Sequence, residues 1–369
     1  MSKRPLSPTT ATHATQDTKK PRVEAPKAST TDKPPAAPDA APHLTRILSW
    51  NIETPVPFLD LPAKQLGSTA AREPARPQHL RALLARHGFP EFVCLQEVRA
   101  RASDGAWAGA LTAAVNRGHA RDGGPRYAAA HMALNRGRGR HFGAATFVRE
   151  GLGRGAGEVA CAREVGWDAE GRVVVLELRA GWALVNVYAL NGSEHPWRDP
   201  RGGAGGAVAP QTRHERKREF NRLLLRECAA LQARGLRVVL VGDFNIALAP
   251  RDCFPRLRTE YPHALARREF NEGFIPGLGV LDVFRAMHGE RRAFSWFAKG
   301  KPQGSDCARV DYALVDRTLV DRVVEMEYLE DPKERAHSDH APFLLVLRDM
   351  DNMDKVPKKD DDPGLEVQD

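Results

Sequence analysis

The chain has 369 residues, of which 42% are hydrophobic and 28% charged; this is a globular composition with room for one large domain or two small ones. Its formal net charge is +8 and its pI about 9.4, a balance that favours a polyanionic partner. No run approaches the roughly 18 apolar residues of a membrane span, and the N-terminus lacks the apolar core of a secretory signal, so no membrane partner is expected. Five cysteines (Cys94, Cys161, Cys228, Cys253 and Cys307) are scattered without a C-x-x-C pair, which argues against a zinc site and for a reduced intracellular protein.

Residues 1–43 are rich in Pro, Ala, Thr and Lys and nearly devoid of large apolar side chains. Such a segment cannot bury enough surface to offset its ordering entropy, and it is predicted to be disordered. Two basic clusters within it, Lys3-Arg4 and "KKPR" at 19–22, match a nuclear import signal and predict a nuclear location. From residue 44, "TRILSW" reads as a strand, "PQHLRALLARHG" as a helix ending at Gly88, and "FVCLQ" as a strand. "VVVLELRAGWALVNVY" reads as two strands about a turn at Ala180-Gly181. In "TRHERKREFNRLLLRECAALQARG" the residues Phe220, Leu223, Leu224, Cys228 and Leu231 recur at helical spacing, and Gly235 stops the helix before the buried strand "LRVVLVGDFN". "RVDYALV", "RVVEMEYL" and "PFLLVL" read as closing strands. This alternation predicts a mixed sheet packed by helices in one domain, residues 44–348. Residues 349–369, charged and containing proline, are predicted to be a second disordered tail.

Most of these strands finish on an acid, an amide or a phenol. "ILSWNIE" ends on Asn51 and Glu53, "VCLQE" on Glu97, "NVYALN" carries Tyr188 and Asn191, "VVLVGDFN" ends on Asp243 and Asn245, "RVDY" supplies Asp311, and "SDH" supplies Asp339 and His340. Period-two alternation lets Asn51 and Glu53 share a face, and likewise Asp243 and Asn245. Singly, each such residue is more often a cap or turn former than a ligand. Together, carboxylates at several strand ends would repel one another unless a cation lay among them. A hard divalent ion, Mg²⁺ with Mn²⁺ as an alternative, suits the oxygen donors.

At these residues the chain resembles the endonuclease/exonuclease/phosphatase superfamily, and within it the exonuclease III-like apurinic/apyrimidinic endonucleases. "LSWNIE", "CLQEVR", "VYALNG", "VGDFN", "LDVFR", "FSWF", "RVDY" and "SDHAP" occur in the family's order between residues 48 and 342. The resemblance implies an α/β fold, a four-layer sandwich of two mixed sheets face to face with helices outside, and a site at one edge of the sheets. It implies a Mg²⁺-dependent DNA hydrolase of base excision repair that cleaves 5′ of base-less sites, with 3′-exonuclease and 3′-phosphatase activity left open, expected to act as a monomer on duplexes with base-less sites. It assigns Glu97 as the principal metal ligand, with Asn51, Asp339, Asp243, Asn245 and Glu53 near the ion; Glu53 stands where many members have Asp. Asp243 would orient or deprotonate water, Tyr188 and Asn191 would hold the phosphate, and His340 would contact it, oriented by Asp311. Asn191, Arg285, Trp296, Phe297 and Arg309 would bind substrate, with Trp296 and Phe297 lining the pocket for the base-less sugar. His337 falls outside the motif and is expected at the surface.

Some features depart from the family. Ala308 precedes the Arg of "RVDY" where some members carry Trp, and Ser193-Glu194 stand where some place a basic residue. A Gly-rich loop follows, in which Trp197, Arg198 and Arg201 could take over that role. These differences bear on substrate more than on hydrolysis, and keep open other phosphoesters: tyrosyl-DNA, poly(A) or inositol phosphates. "NRGRGRH" at 135–141 and the helix "RHERKREFNR" are candidate DNA contacts or solvated basic faces. A non-catalytic scaffold on this fold would show gaps in the polar set, and apart from Glu53 there are none.

Overall fold

The computed structural model describes residues 43–62, 79–137, 139, 141–152, 157–202, 211–348 and 350. The two predicted tails lie outside the described residues, except for His43 and Met350.

One sheet contains β1 (Leu44–Asn51), β2 (Phe92–Gln96), β3 (Tyr127–Ala133), β4 (Ala144–Arg149), β14 (Val323–Tyr328) and β15 (Phe343–Arg348), in the order β14-β15-β1-β2-β4-β3. The second contains β5 (Val159–Glu164), β6 (Val173–Leu178), β7 (Trp182–Tyr188), β8 (Arg237–Asp243), β10 (Val280–Asp282) and β13 (Asp311–Asp316), in the order β10-β13-β8-β7-β6-β5. Each sheet has one parallel pair, β1–β2 and β7–β8, flanked by antiparallel neighbours. Parallel neighbours need a crossover. Helix α1 (His79–Arg86) lies between β1 and β2 in the chain, and α3 (Arg213–Ala233) between β7 and β8; α2 (Gly105–Val115) follows β2. A small ribbon, β11 (Trp296–Phe297), β12 (Cys307–Ala308) and β9 (Cys253–Phe254), stands beside them.

Alternation along the strands builds the layers. Phe92 and Cys94 of β2 and Val239 and Val241 of β8 join one core between the sheets. Val93 and Leu95 face the opposite way and pack with Leu80, Leu84 and Leu111 of α1 and α2. Val238 and Leu240 pack with Phe220, Leu224, Cys228 and Leu231 of α3. This is the four-layer sandwich that the resemblance implied. Truncating a fully buried side chain such as Phe220 to Ala would cost about 3–5 kcal/mol. One polar link crosses the inter-sheet core: Gln96 Nε2 donates to Asn186 Oδ1 at 2.7 Å, and Asn186 Nδ2 donates to the carbonyl of Ala145 at 2.9 Å.

Helix α3 starts where its sequence signals a start. Thr212 Oγ1 accepts from the Glu215 amide at 3.2 Å, and the Glu215 carboxylate accepts from the Thr212 amide at 2.7 Å, a reciprocal cap. The first turns of α3 are not the solvated basic face considered from sequence. His214, Arg216 and Lys217 are buried, while Arg218 and Arg222 pair with Glu269.

Candidate active site

Within each parallel pair the C-terminal ends lie together, and the two pairs meet at one edge. There Asn51, at the end of β1, donates from Nδ2 to Asp243 Oδ2 at 3.0 Å and to Glu97 Oε1 at 3.3 Å. Register supplies the rest. Asp243 pairs with Tyr188 across β7–β8 and with Asp311 across β8–β13. Tyr188 donates its hydroxyl to Glu97 Oε1 at 2.8 Å, and Arg99 donates to Glu97 Oε2 at 3.0 Å. Asn245 donates its amide to Asp243 Oδ1 at 2.8 Å and its side-chain Nδ2 to Oδ2 at 3.0 Å. Glu97, Asn245 and Glu53 all hold positive φ, 56°, 53° and 56°, a strained conformation for side-chain-bearing residues that concentrates at functional sites. Gly242, before Asp243, has φ +132°, and a Cβ there would lie 2.0 Å from the carbonyl oxygen of Val187. Only glycine lets β8 approach β7 this closely.

The "SDH" turn is clamped on several sides. Ser338 Oγ donates to the Asn51 carbonyl at 2.7 Å and accepts from the His340 amide at 3.0 Å. Trp50 Nε1 donates to the His340 carbonyl at 3.0 Å, and Trp296 Nε1 donates to Asp339 Oδ2 at 3.0 Å. The His340 ring is buried, with Nδ1 2.8 Å from Asp311 Oδ2 and Nε2 4.0 Å from Asp243 Oδ2. Burial opposes charge on this ring, but Asp311, Asp243 and Asp339 outweigh it and raise its pKa to about 10. Asp243 is raised to about 7 by burial and by the Asp311 charge, against the pull of His340 and the Asn245 and Asn51 hydrogen bonds. Tyr188 is held well above the phenol range by burial and by Glu97.

A cleft of about 280 Å³ opens over this group, lined by Glu97, Asp243, Asn245, Asp339 and His340 among others. Its donor set is hard oxygen, with three carboxylates and an amide, and the raised pKa of buried Asp243 is what a divalent cation would relieve. The residues therefore fit such an ion. Among the described residues, Asp243, Asp311 and His340 bring ligand atoms within 4.8 Å of one another. Within that group His340 and Asp311 engage each other, and Glu97, Asp243 and Asp339 line the same cleft.

Several expected residues are engaged by partners within the chain. Asn51 turns its amide nitrogen to Glu97 and Asp243 while its oxygen accepts from the Glu53 amide at 2.9 Å, which ties the acids together. Glu53 pairs with Lys299 at 2.5 Å. Arg309 is fully buried and bound to Asp252 at 2.8 Å and Asp282 at 2.7 Å. Arg285 meets the same Asp252 at 2.6 Å and the carbonyls of Gly289 and Arg291. Neither arginine has a charge to spare for substrate. Phe297 packs with Cys307 and Ala341 under Arg335, so of the two expected pocket aromatics only Trp296 lines the cleft, as does Asn191. His337 is not a free surface residue: its Nε2 lies 3.0 Å and 2.9 Å from the carbonyls of Ile52 and Thr54. Trp197 is fixed to Glu170 at 3.1 Å and packs under Arg216, while Arg198 and Arg201 are exposed, Arg201 beside Asp199. Arg138 and Arg140 lie outside the described residues.

Two contributors escape sequence reading. Lys217 is buried, lines the cleft and donates to the Asn245 carbonyl at 2.6 Å. Burial pushes its pKa down to about 7 against the pull of Asp243. The signal was its place on the α3 stripe, three residues before Phe220 and seven before Leu224. Arg172 is buried, pairs with Glu170 at 2.5 Å and stacks on Phe142 and Tyr188, which holds the Tyr188 ring from behind.

The chain is 28% identical over 212 residues to bovine DNA-(apurinic or apyrimidinic site) endonuclease 2, a match that covers 52% of this chain and 37% of that protein. The matched part is thus little more than a third of the relative's own length. Among solved structures, an AP endonuclease from Leishmania major superposes with a TM-score of 0.61 at 18% identity, over 83% of this chain and 88% of that one. The catalytic domain of Xenopus laevis APE2 gives 0.56 at 20% identity, over 82% and 93%. At such identities these two speak to the fold. The family described as "Endonuclease/Exonuclease/phosphatase family" matches residues 48–340, which takes in every strand end of the cleft, and the chain belongs to that family.

Proposed function

We propose that the protein is a Mg²⁺-dependent phosphodiesterase of DNA that incises 5′ of base-less sites in base excision repair. The observation that carries this reading is the buried group of Asp243, Asp311 and His340, of which Asp243 and His340 line one cleft with Glu97. The names of the relatives point to the same substrate class.

A cation held by Glu97, Asp339 and Asp243 would supply charge neutralisation on the non-bridging oxygens. The other steps belong to the chain's own residues. Asp243, buried at the end of β8 and lining the cleft, would orient the attacking water or take its proton. The surrounding carboxylates raise the His340 pKa to about 10, and its Nε2 side turns toward Asp243; it would donate to a phosphate oxygen as negative charge grows there. Asp311 fixes the imidazole through Nδ1. Asn191 lines the cleft as a further donor, Asn245 braces Asp243, and Tyr188 orients Glu97 through its hydroxyl. Trp296, tied to Asp339, offers an apolar wall for a sugar that has lost its base.

The test compares three duplexes of one sequence: intact, with a single base-less site, and with a blocked 3′ end. Each is incubated with Mg²⁺ or with chelator. The reading expects incision at the base-less site in Mg²⁺ at least a hundredfold faster than cutting of the intact duplex. Equal rates on all three, or activity confined to the 3′ end, would replace it with a general or end-processing nuclease.

A further inference from the structure

The cleft continues beyond the acidic group. Its lining also includes Ala308 and Cys253, small residues opposed across the β12–β9 pair, together with Phe254, Arg256 and Arg258.

The far end differs from the rest of the basic surface. Arg251 pairs with Glu290, and Arg285 and Arg309 consume Asp252. By contrast, Arg256 and Arg258 are exposed and form no ion pair with a carboxylate among the described residues; Glu260 is near enough to feel both charges and pairs with neither. Arg267 Nη2 donates to the Arg258 carbonyl at 2.9 Å and braces the turn. Buried Lys217 lies beneath, on the same cleft wall. Phe254 is 41% exposed, and Tyr261, at the other end of the same loop, 75%. Both are among the few large hydrophobic side chains left in water in the described residues.

We propose that this end of the cleft binds an unpaired nucleotide flanking the reacting phosphodiester. Its phosphate lies on Arg256 and Arg258, and its base stacks on Phe254. Unpaired guanidinium groups next to an exposed ring are the combination that holds single-stranded nucleic acid, where the groups follow the backbone and the ring takes a base face. A base inside a duplex has both faces covered by its neighbours, so the ring selects for an unpaired one. Continuity with the phosphate-handling centre favours nucleic acid over a protein partner for this surface. The inference rests on the phosphodiesterase reading for its orientation and narrows the substrate to DNA that is single-stranded or frayed on one side of the cut.

The test is binding rather than cleavage. Fluorescence anisotropy of a labelled 12-mer oligothymidylate, single-stranded or annealed to its complement, is read in chelator with the full chain. Phe254→Ala should weaken single-strand binding about five- to hundredfold. The double variant Arg256→Ala/Arg258→Ala should lower the slope of log Kd against log salt by about 1.4, the single-strand value for two phosphates. Both should affect the annealed duplex several-fold less. Arg268→Ala, an exposed arginine outside the cleft lining, controls for general positive charge and should leave both probes bound as before. Melting temperatures check that the variants fold. Unchanged single-strand binding, equal losses on both probes, or an equal effect of Arg268→Ala would overturn the proposal, as would a wild-type chain that binds no oligonucleotide. Hydrolysis plays no part, so a chain that cleaves nothing still tests this site. A chain that incises base-less DNA while its Phe254 and arginine variants bind normally refutes this proposal alone.

Discussion

Removing the Asp311 carboxylate should cripple the reaction through His340. The two are 2.8 Å apart and almost fully buried. Breaking a buried charge pair by deleting one partner destabilises by about 3–5 kcal/mol. Here the lower end applies, because Asp311 also faces Asp243 directly in register, and its removal relieves that repulsion. His340→Ala should slow turnover by about two to four decades, the range for acid–base assistance, and Asp311→Ala by a similar amount. If Asp311 acts by orienting and charging the imidazole, the double variant should fall within about threefold of the His340 single, because residues acting as a unit are non-additive. The assay is single-turnover incision of a fluorescent duplex with one base-less site, which removes product release from the rate. Unfolding in denaturant, run alongside, separates lost stability from lost chemistry. Losses that multiplied independently, past four decades in the double variant, would refute the coupled pair.

Glu97→Gln should lose most activity at low Mg²⁺ and recover part of it at high Mg²⁺, since one lost carboxylate weakens a hard-cation site without abolishing it; a titration of rate against Mg²⁺ reads the shift. His337→Ala should destabilise by about 1–2 kcal/mol and slow the reaction less than tenfold, because the ring ties the Glu53 turn to "SDH" through the carbonyls of Ile52 and Thr54; thermal melts and rates check both. In chelator, stability should fall as pH rises. The His340 contribution, from a pKa raised to about 10, is full below its unfolded value of about 6.5 and is lost as pH rises through 10. The Asp243 penalty, from a pKa raised to about 7, is absent below 3.8 and complete above 7. Both run in one direction, and added Mg²⁺ should flatten melts taken from pH 5 to 9. Deleting residues 1–43 should leave cooperative unfolding and catalysis intact and lower nuclear accumulation of a fluorescent fusion.

Much of this site is legible in the sequence because it sits at strand ends. Once "VVLVGDFN" and "RVDYALV" are read as strands, alternation fixes which way Asp243 and Asp311 point, although their pairing across β8–β13 is tertiary. Strands β3, β4 and β5 are harder to see. "YAAAHMA" is mostly alanine, a helix former, and "VACARE" is a partly exposed edge strand whose composition carries little alternation. The fates of Arg285 and Arg309 depend on Asp252, 33 and 57 residues away in the chain, so a basic residue near a motif reads as a substrate contact until its partner is located. His337 misleads for the same reason: its acceptors lie 285 and 283 residues away. Lys217 is hidden by charge, since a lysine on an apolar stripe reads as the stripe's edge until the cleft beneath it is seen.

These strand ends are proposed to form one metal-assisted site that hydrolyses DNA at a base-less position. This is tested most directly by mapping the product of a 5′-labelled duplex with one such site, using wild type and Asp243→Asn side by side, each in Mg²⁺ and in chelator. The account predicts one cut immediately 5′ of the base-less sugar, leaving a 3′-hydroxyl, by wild type in Mg²⁺ alone, with Asp243→Asn slower by at least about two decades. Equal cutting by the variant, or equal cutting in chelator, would contradict it.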